Sequence, residues 1–281
     1  MSNKILRQMI WDSVVQGGII TSFSASALII SIALIIRQPI RWQFILIVFL
    51  ISVIIYFFNF LGEAKDDLRD KPSESALTDK DKPILYGIVA ILLTFLLLIT
   101  FAYGNLRSIV FCFVFLALGI AYTYSLKKVT RVVIGFKDIY VAISWNMIIP
   151  FYILFHNLQF NTSIFWLMGI VLCRDLVNAS YCDLKDVTVD AKKRLHTFAV
   201  FFGKKRLLIF LQVFNAISML LVALSAIFNY LPSTVLLLLI PILITSFLIN
   251  RSYKVEIFST VNVDLEYIVW FVLLISLKII G

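Results

Sequence analysis

Long apolar stretches, separated by short breaks that contain charged residues or proline, follow one another from residue 12 to residue 280. A helix needs about 20 apolar residues to cross the hydrocarbon core of a membrane. Nine stretches are close to that length: 12–36, 41–62, 83–103, 106–126, 132–155, 162–182, 206–229, 232–250 and 261–280. The pattern therefore predicts an all-α integral membrane bundle of about nine transmembrane helices, with residues 1–281 forming a single domain. Pro150 and Pro241 are expected to kink the fifth and the eighth helix.

The composition agrees with a membrane location, because 61% of the 281 residues are hydrophobic and only 15% are charged. A soluble domain of this length needs more polar surface. The first stretch is not typical of a cleavable signal peptide, since Asp12 and Gln16 interrupt it. The three cysteines and the two histidines are isolated along the sequence, which disfavours a disulfide or a zinc site.

The net charge of +9 raises the question of nucleic-acid binding, and the distribution of the charge argues against it. If the N-terminus is cytoplasmic, 21 of the 25 Lys and Arg residues lie on the cytoplasmic side, with Arg174 counted at the inner end of the sixth helix. The other four are Arg37, Arg41, Arg107 and Lys278. Positive loops stay in the cytoplasm, so the sequence predicts a cytoplasmic N-terminus, contact with membrane lipid and no nucleic-acid partner.

The acidic residues are concentrated in two segments, because ten of the 16 lie within residues 63–81 and 183–190. Both segments follow an even-numbered predicted helix and therefore share the cytoplasmic side. If the second helix continues through the first segment, it carries a carboxylate-rich stripe, since each residue turns about 100°. The stripe consists of Asn59, Glu63, Asp66 and Asp70, with Asp67 slightly to one side. Pro72 is expected to stop this helix.

The second segment reads Asp183-Leu184-Lys185-Asp186-Val187-Thr188-Val189-Asp190. Spacings of three and four residues place its three aspartates on one face of a helix. Asp175, further up the sixth helix, points roughly the same way. A single run of this kind is more often a solvated, ion-paired helix end. Two runs on one side of a chain that is otherwise poor in acids favour a divalent-metal site.

Carboxylates in this arrangement suit magnesium and a phosphorylated substrate. Mg²⁺ prefers oxygen ligands and is usually held by a few carboxylates together with substrate phosphates. Two acidic faces can hold two or three such ions with a diphosphate bridging them, and the ions neutralise charge on a leaving diphosphate. Nearby basic side chains add fixed positive charge. A hydrophobic bundle beneath the metals can hold a prenyl tail and exclude water.

At these residues the chain resembles the UbiA superfamily of intramembrane prenyltransferases. The first motif of that family is Asn-x-x-x-Asp-x-x-x-Asp, often followed by Lys-Pro. Asn59, Glu63 and Asp67 stand in that register here, before Lys71-Pro72. A helix count of nine, with acidic motifs after the second and sixth helices, is also the family's architecture.

The later part of the chain continues the resemblance. The second motif of the family has aspartates at this spacing, then a Thr and an apolar stretch that ends in Gly. Here the aspartates are followed by Thr197 and by Phe201-Phe202-Gly203. Tyr122-Thr123-Tyr124-Ser125 with Lys127-Lys128 is similar to the family's Tyr-Ser and basic loop after the fourth helix.

The resemblance implies that the chain is an enzyme that transfers a prenyl group from a prenyl diphosphate to a small-molecule acceptor, aromatic or from a lipid pathway, with Mg²⁺ as cofactor. It implies catalytic roles for Asn59, Asp67, Asp183 and Asp186. The candidate metal ligands are Asn59, Glu63, Asp66, Asp67, Asp70, Asp183, Asp186 and Asp190. The candidates for diphosphate binding are Lys127, Lys128, Lys137, Lys193 and Arg194, although anchoring at the membrane surface explains basic residues there as well. Asn178 is a candidate contact for the acceptor.

Several alternatives stay open at this point. Glu63 replaces the usual Asp, and Asp66-x-x-x-Asp70 offers a second register, so either Asp66 or Asp67 is the metal ligand. The same ionisation followed by closure of the cation on its own chain describes a terpene cyclase. A transporter would instead need ionisable groups near the membrane midplane, whereas the acidic motifs are predicted at helix ends. The Ile-, Lys- and Phe-rich composition fits a prokaryotic cell membrane, with the site facing the cytoplasm.

Overall fold

The computed structural model describes residues 18–70, 82–253 and 265–280, and side chains are described for 18–62, 83–253 and 265–279. The described residues form eleven α-helices. They are α1 (Ile19–Ile35), α2 (Trp42–Asp70), α3 (Lys82–Tyr103), α4 (Leu106–Tyr124), α5 (Phe136–Asn146), α6 (Ile148–Phe155), α7 (Thr162–Cys182), α8 (Val187–Lys192), α9 (Phe198–Ile227), α10 (Leu239–Ser252) and α11 (Glu266–Ile280). Three 3₁₀ turns connect some of them, at Leu126–Arg131, Asp183–Lys185 and Ser233–Leu238.

Seven helical stretches in the described residues are long and apolar enough to cross a membrane. They are Trp42–Gly62, Pro83–Tyr103, Leu106–Tyr124, Phe136–Phe155, Thr162–Lys185, Phe198–Ile227 and Ser233–Ser252. The first and the ninth predicted segments correspond to α1 and α11, which have 17 and 15 residues. The prediction of an all-α integral membrane protein is confirmed, while nine spans and a cytoplasmic N-terminus stay predictions.

One compact unit is formed by the described residues within 1–26 and 41–126. Within its described part, α2 packs against α3 and α4, and α3 packs against α4. Small residues allow the close approach of α2 and α4. A Cβ added at Gly119 would overlap Ile55, and one added at Gly62 would overlap Thr123.

The other compact unit is formed by the described residues within 27–40 and 127–281. In its described part, α7 packs against α5 and α9, and α9 packs against α10. Val177 of α7 and Leu207, Leu208 and Leu211 of α9 lie in one buried cluster with Ile249 of α10. Helix α7 therefore lies at the centre of this unit. That residues 1–281 form a single domain stays a prediction.

The two prolines that were expected to kink helices both lie in the first turn of an α-helix. The fifth predicted segment is interrupted at Met147, between α5 and α6. Pro150 accounts for the break, because it has no N–H to donate to the carbonyl of Asn146 four residues earlier. Pro241 lies in the first turn of α10, after the 3₁₀ turn Ser233–Leu238. The eighth predicted segment therefore changes from a 3₁₀ turn to an α-helix just before Pro241, and a kink caused by this proline stays a prediction.

Helix α9 begins at Phe198, eight residues before the predicted start at 206. Gly203 has φ 68° and ψ 164°, so the backbone leaves the helical conformation there and resumes it afterwards. The charged run Lys204-Lys205-Arg206 suggested a loop, whereas it forms the first turn after this irregular glycine.

Candidate functional site

The second acidic segment is not the continuous helix that the spacing of its aspartates predicts. Helix α7 ends at Cys182, residues Asp183–Lys185 form a 3₁₀ turn, and Asp186 has φ −102° and ψ 6° before α8 begins. Asp183 and Asp190 are nevertheless both buried, at 5% and 5% exposure. Asp186 is half-buried. The change of direction at residues 183–186, rather than a shared helix face, sets the positions of these carboxylates.

The side chain of Lys137 contacts both Asp183 and Asp190. Its Nζ lies 2.7 Å from Oδ1 of Asp183 and 3.5 Å from Oδ2 of Asp190. The second oxygen of Asp183, Oδ2, is buried and has no hydrogen-bond partner among the described residues. A buried carboxylate oxygen without a partner is costly in a stable fold, so it is a candidate ligand position.

The backbone around Gly135 fixes the start of α5 and therefore the position of Lys137. Gly135 has φ 68°, its N–H donates to the carbonyl of His196 at 2.7 Å, and the N–H of His196 donates to the carbonyl of Thr130 at 2.8 Å. A Cβ at Gly135 would overlap the ring of Phe198. Only glycine meets both demands, a left-handed backbone and close contact with the start of α9.

Asp138 is a functional candidate that the sequence did not single out. It is 1% exposed, and its Oδ2 accepts a hydrogen bond from the backbone N–H of Phe198 at 3.1 Å. It therefore joins the first turn of α5 to the first turn of α9. An acidic residue at the start of a strongly apolar helix was the only signal in the sequence that could have indicated this role.

Burial and neighbouring ammonium groups act in opposite directions on the pKa of the Asp190 carboxyl. Burial raises the pKa of the Asp190 carboxyl above its ordinary value, and the nearby Asp186 carboxylate raises it further. The ammonium groups of Lys137 and Lys127 act in the opposite direction on this pKa. Removal of positive charge would leave a cluster of buried carboxylates that favours a cation.

The first acidic segment is described in its backbone only. Helix α2 continues to Asp70, as expected, so Glu63, Asp66, Asp67 and Asp70 lie on one helix. Their side chains, like Lys71-Pro72, lie outside the described residues. Asn59, one turn before Glu63, is half-buried. Among the residues with described side chains, no group of three His, Cys, Asp or Glu residues lies close enough to hold a metal ion.

The other predicted basic residues lie on two connections. Lys127 and Lys128 belong to the 3₁₀ turn Leu126–Arg131, where Lys127 is half-buried and Lys128 is exposed. Lys193 is the C-cap that follows α8, and the exposed Arg194 comes next with a positive φ of 56°. Lys137 contacts Asp183 and Asp190, and the charge of Lys127 acts on Asp190. No direct contact of Lys128 or Arg194 with these aspartates is observed in the described residues.

Asn178, the candidate acceptor contact, lies one turn before the end of α7 and is half-buried. Its side-chain Oδ1 has no hydrogen-bond partner among the described residues. Helices in membranes rarely leave a buried amide oxygen unsatisfied. Asn178 therefore stays a candidate contact for the acceptor, because its Oδ1 can accept a hydrogen bond from a ligand.

A network of charged residues inside the bundle was missed by sequence reasoning. Arg174 is 0% exposed and its guanidinium contacts both carboxylate oxygens of Glu266, which is 3% exposed. Arg174 also donates to Asn215 of α9, and Tyr267 donates to Asp175. Arg174 does not lie at the helix end where it was counted, because α7 continues beyond it to Cys182, about 12 Å further along the axis. The sequence signal was its position within an otherwise apolar run.

The model of the UbiA prenyltransferase family matches residues 19–264 of the chain. No curated protein sequence matches the chain.

Two solved structures are similar in fold. One is the apo structure of a UbiA homolog from Aeropyrum pernix K1, with a TM-score of 0.71 and 12% identity over 92% of this chain and 98% of that chain. The other comes from a study of digeranylgeranylglyceryl phosphate synthase in membranes, with a TM-score of 0.59 and 15% identity over 96% of this chain and 97% of that chain. At such identities these two likenesses concern the fold alone.

Proposed function

The chain belongs to the UbiA prenyltransferase family, and from this premise we propose that it transfers a prenyl group from a prenyl diphosphate to a small-molecule acceptor in the membrane, with Mg²⁺ as cofactor. The observation that carries the proposal is the contact of Lys137 with both Asp183 and Asp190. Buried carboxylates that gather around one cation are suited to divalent metal, and a lysine among them is suited to an anionic substrate.

The residues present fit a magnesium site. Carboxylate oxygens are the ligands that Mg²⁺ prefers, and Oδ2 of Asp183 has no hydrogen-bond partner in the described part of the chain. The proposed ligands are Asp183, Asp186 and Asp190 from the second segment and Asn59, Glu63, Asp70 and either Asp66 or Asp67 from the first. When bound, Mg²⁺ supplies positive charge that neutralises the leaving diphosphate.

The side chains of the chain itself have three further roles in the proposal. Lys127, Lys128, Lys137, Lys193 and Arg194 bind the diphosphate, and the ammonium groups hold negative charge as the C–O bond breaks. The apolar interior of the bundle holds the prenyl tail and excludes water from the allylic cation. Asn178 accepts a hydrogen bond from the acceptor.

The site is proposed to face the cytoplasm of a prokaryotic cell. Lys192, Lys193 and Arg194 directly follow the second acidic segment in the sequence, Lys127 and Lys128 follow the fourth predicted helix, and such residues mark the cytoplasmic ends of membrane helices. Diphosphate substrates are hydrophilic at one end, so this placement lets the head group arrive from water while the tail enters the bundle.

Phosphate release tests the proposal directly. Purified protein in lipid nanodiscs is supplied with farnesyl or geranylgeranyl diphosphate, Mg²⁺, pyrophosphatase and candidate phenolic and glyceryl phosphate acceptors. We expect Mg²⁺-dependent release that Asp183→Asn and Asp67→Asn abolish. Thr188→Ala, an exposed change in α8, is the matched control and should retain the wild-type rate.

The organic product decides the type of chemistry. A prenylated acceptor supports the proposed transfer, whereas a cyclic hydrocarbon or alcohol would identify a terpene cyclase. If no prenyl diphosphate is bound or turned over with any acceptor, and EDTA changes nothing, the proposal is wrong.

A further inference from the structure

We infer that Lys137 is an internal counter-ion, which must leave Asp183 and Asp190 before a divalent metal ion binds them and which then pairs with the diphosphate. The inference rests on the proposed function and adds an order of events to it, in which Lys137 leaves the carboxylates before the metal ion binds them. Metal and diphosphate would each bind well only when the other is present. The metal ion replaces Lys137 at the carboxylates, and the diphosphate offers the displaced ammonium new oxygen atoms.

The contacts of Lys137 are those of a bridging cation. Its ammonium is 2.7 Å from Asp183 Oδ1, the distance of a direct charge-assisted hydrogen bond, and 3.5 Å from Asp190 Oδ2. The two carboxylates are 7% and 8% exposed in their side chains. Buried carboxylates repel each other, so this ammonium stabilises their approach in the free protein.

A metal ion that bridges Asp183 and Asp190 competes with this ammonium, because the ammonium already contacts one oxygen of each carboxylate. Mg²⁺ must approach carboxylate oxygens to about 2.0–2.1 Å, and Oδ1 of Asp183 already accepts from Lys137. A metal ion at Oδ2 of Asp183, which has no hydrogen-bond partner in the described residues, would still lie close to the ammonium on Oδ1, and like charges repel at such separations. A metal ion that bridges this pair of carboxylates therefore requires the lysine to move.

The side chain can move while its backbone stays in place. The first turn of α5 is held by the hydrogen bonds that join Gly135, His196 and Thr130, and by the bond from Phe198 to the neighbouring Asp138. The Lys137 side chain is 21% exposed, unlike the carboxylates it contacts. Lysine has a flexible four-carbon stem and a compact charge, so it can change partners without a change in the helix.

The consequence is positive coupling between two ligands. Metal alone must displace the ammonium from Asp183 and Asp190, so the two contacts are lost with no new one in exchange. A diphosphate bound with the metal offers oxygen atoms to which the ammonium can donate. By linkage, each ligand then increases the affinity for the other.

Mn²⁺ binding measured by electron paramagnetic resonance tests the first half of the inference without any turnover. The protein is placed in phosphatidylcholine nanodiscs and titrated with Mn²⁺ alone. We expect Lys137→Met to bind Mn²⁺ at least about tenfold more tightly than wild type, because the competing charge is gone. Lys137→Arg keeps the charge and should retain weak binding. Lys205→Gln, which removes an exposed charge in α9, is the matched control and should behave as wild type.

Calorimetric titration of inorganic pyrophosphate at saturating Mg²⁺ tests the second half. The same Lys137→Met variant should bind pyrophosphate about tenfold more weakly than wild type, so that one substitution changes the two affinities in opposite directions. One contrary result is that Lys137→Met weakens the binding of both Mn²⁺ and pyrophosphate. The other is that Lys137→Met leaves the Mn²⁺ affinity unchanged. Either result would overturn the inference.

A different result would count against the proposed function itself. Asp183→Asn must remove the Mn²⁺ signal from both wild type and Lys137→Met. If the signal persists in Asp183→Asn, or is absent from every variant even with pyrophosphate, the acidic segment binds no metal. The proposed function would then fail together with the inference. Normal Asp183-dependent binding with no effect of Lys137→Met would overturn the inference alone.

Discussion

Arg174 and Glu266 form a bidentate ion pair inside the bundle, in which Nε and Nη2 of the arginine donate at 2.7 and 2.6 Å to the two oxygens of the carboxylate. The pair joins α7 to the first turn of α11. Arg174 Nη1 donates to Asn215, whose own amide donates to the carbonyl of Ile242 at 3.1 Å. Each polar group of the pair is therefore matched, which is the condition under which charges are tolerated in a membrane.

Removal of one partner of this pair should destabilise the protein severely. Arg174→Met or Glu266→Gln leaves the other group buried without its partner, and we expect a loss of about 3–5 kcal/mol in the free energy of unfolding. Chemical unfolding in detergent, monitored by tryptophan fluorescence, measures the change. The double variant Arg174→Met/Glu266→Met should recover much of the stability, because two apolar side chains need no partner. Single variants within about 1 kcal/mol of wild type would contradict this account.

The hydroxyl of Tyr267 satisfies one oxygen of Asp175, and the other oxygen has no hydrogen-bond partner in the described residues. Tyr267→Phe would leave the whole carboxyl unsatisfied, with an expected loss of about 1–3 kcal/mol. Combination with Asp175→Leu should reduce that loss, since no polar group then remains to be satisfied. A double-mutant cycle of unfolding free energies measures the coupling, and additive effects of the two changes would show that the contact contributes nothing.

Gly135→Ala should damage the site more than the fold. The added Cβ costs about 1–2 kcal/mol in the left-handed conformation, and it also overlaps the ring of Phe198. The start of α5 must shift, and Lys137 and Asp138 shift with it. We expect a large loss of Mg²⁺-dependent phosphate release with a modest loss of stability. Gly87→Ala in α3, where nothing lies within 4 Å of the added atom, is the matched control and should be neutral or slightly stabilising. Full activity of Gly135→Ala would refute the positional role.

Cysteine labelling tests the predicted orientation. In a background with Cys112, Cys173 and Cys182 replaced, single cysteines are introduced at Thr188 and Gln159, both exposed. A membrane-impermeant maleimide applied to intact cells should label Gln159→Cys directly. It should label Thr188→Cys only after the membrane is permeabilised, because the basic connections are expected inside. The opposite pattern would place the acidic segment on the outer side.

Helix positions were predictable because membrane helices are defined by local composition. Residues 162–182 were predicted and observed as one helix, and 106–126 differed from α4 by two residues. The predicted helix bounds were wrong where charged residues lie within a helix. Lys204 to Arg206 lie within α9, since a helix end at the membrane surface can carry charge without unfolding.

The candidate site was predictable in its residue types and less so in its geometry. The spacing of Asp183, Asp186 and Asp190 indicated a site, but the helix face inferred from it was replaced by a 3₁₀ turn and a short helix. Lys137 was one of several basic candidates in the sequence. Its contact with Asp183 and Asp190 joins residues 46 and 53 positions apart, which no local pattern encodes.

The sequence by itself determined that the chain is a membrane bundle with two acidic segments, because apolar length and the identity of carboxylates are properties of single stretches. Only the tertiary structure decided that Arg174 pairs with Glu266, 92 positions away. The same holds for Asp138, which joins α5 to α9 through Phe198, 60 positions away. Such partners are selected by the packing of α5, α7, α9 and α11, which brings distant groups to hydrogen-bond distance and removes the water that would otherwise satisfy them.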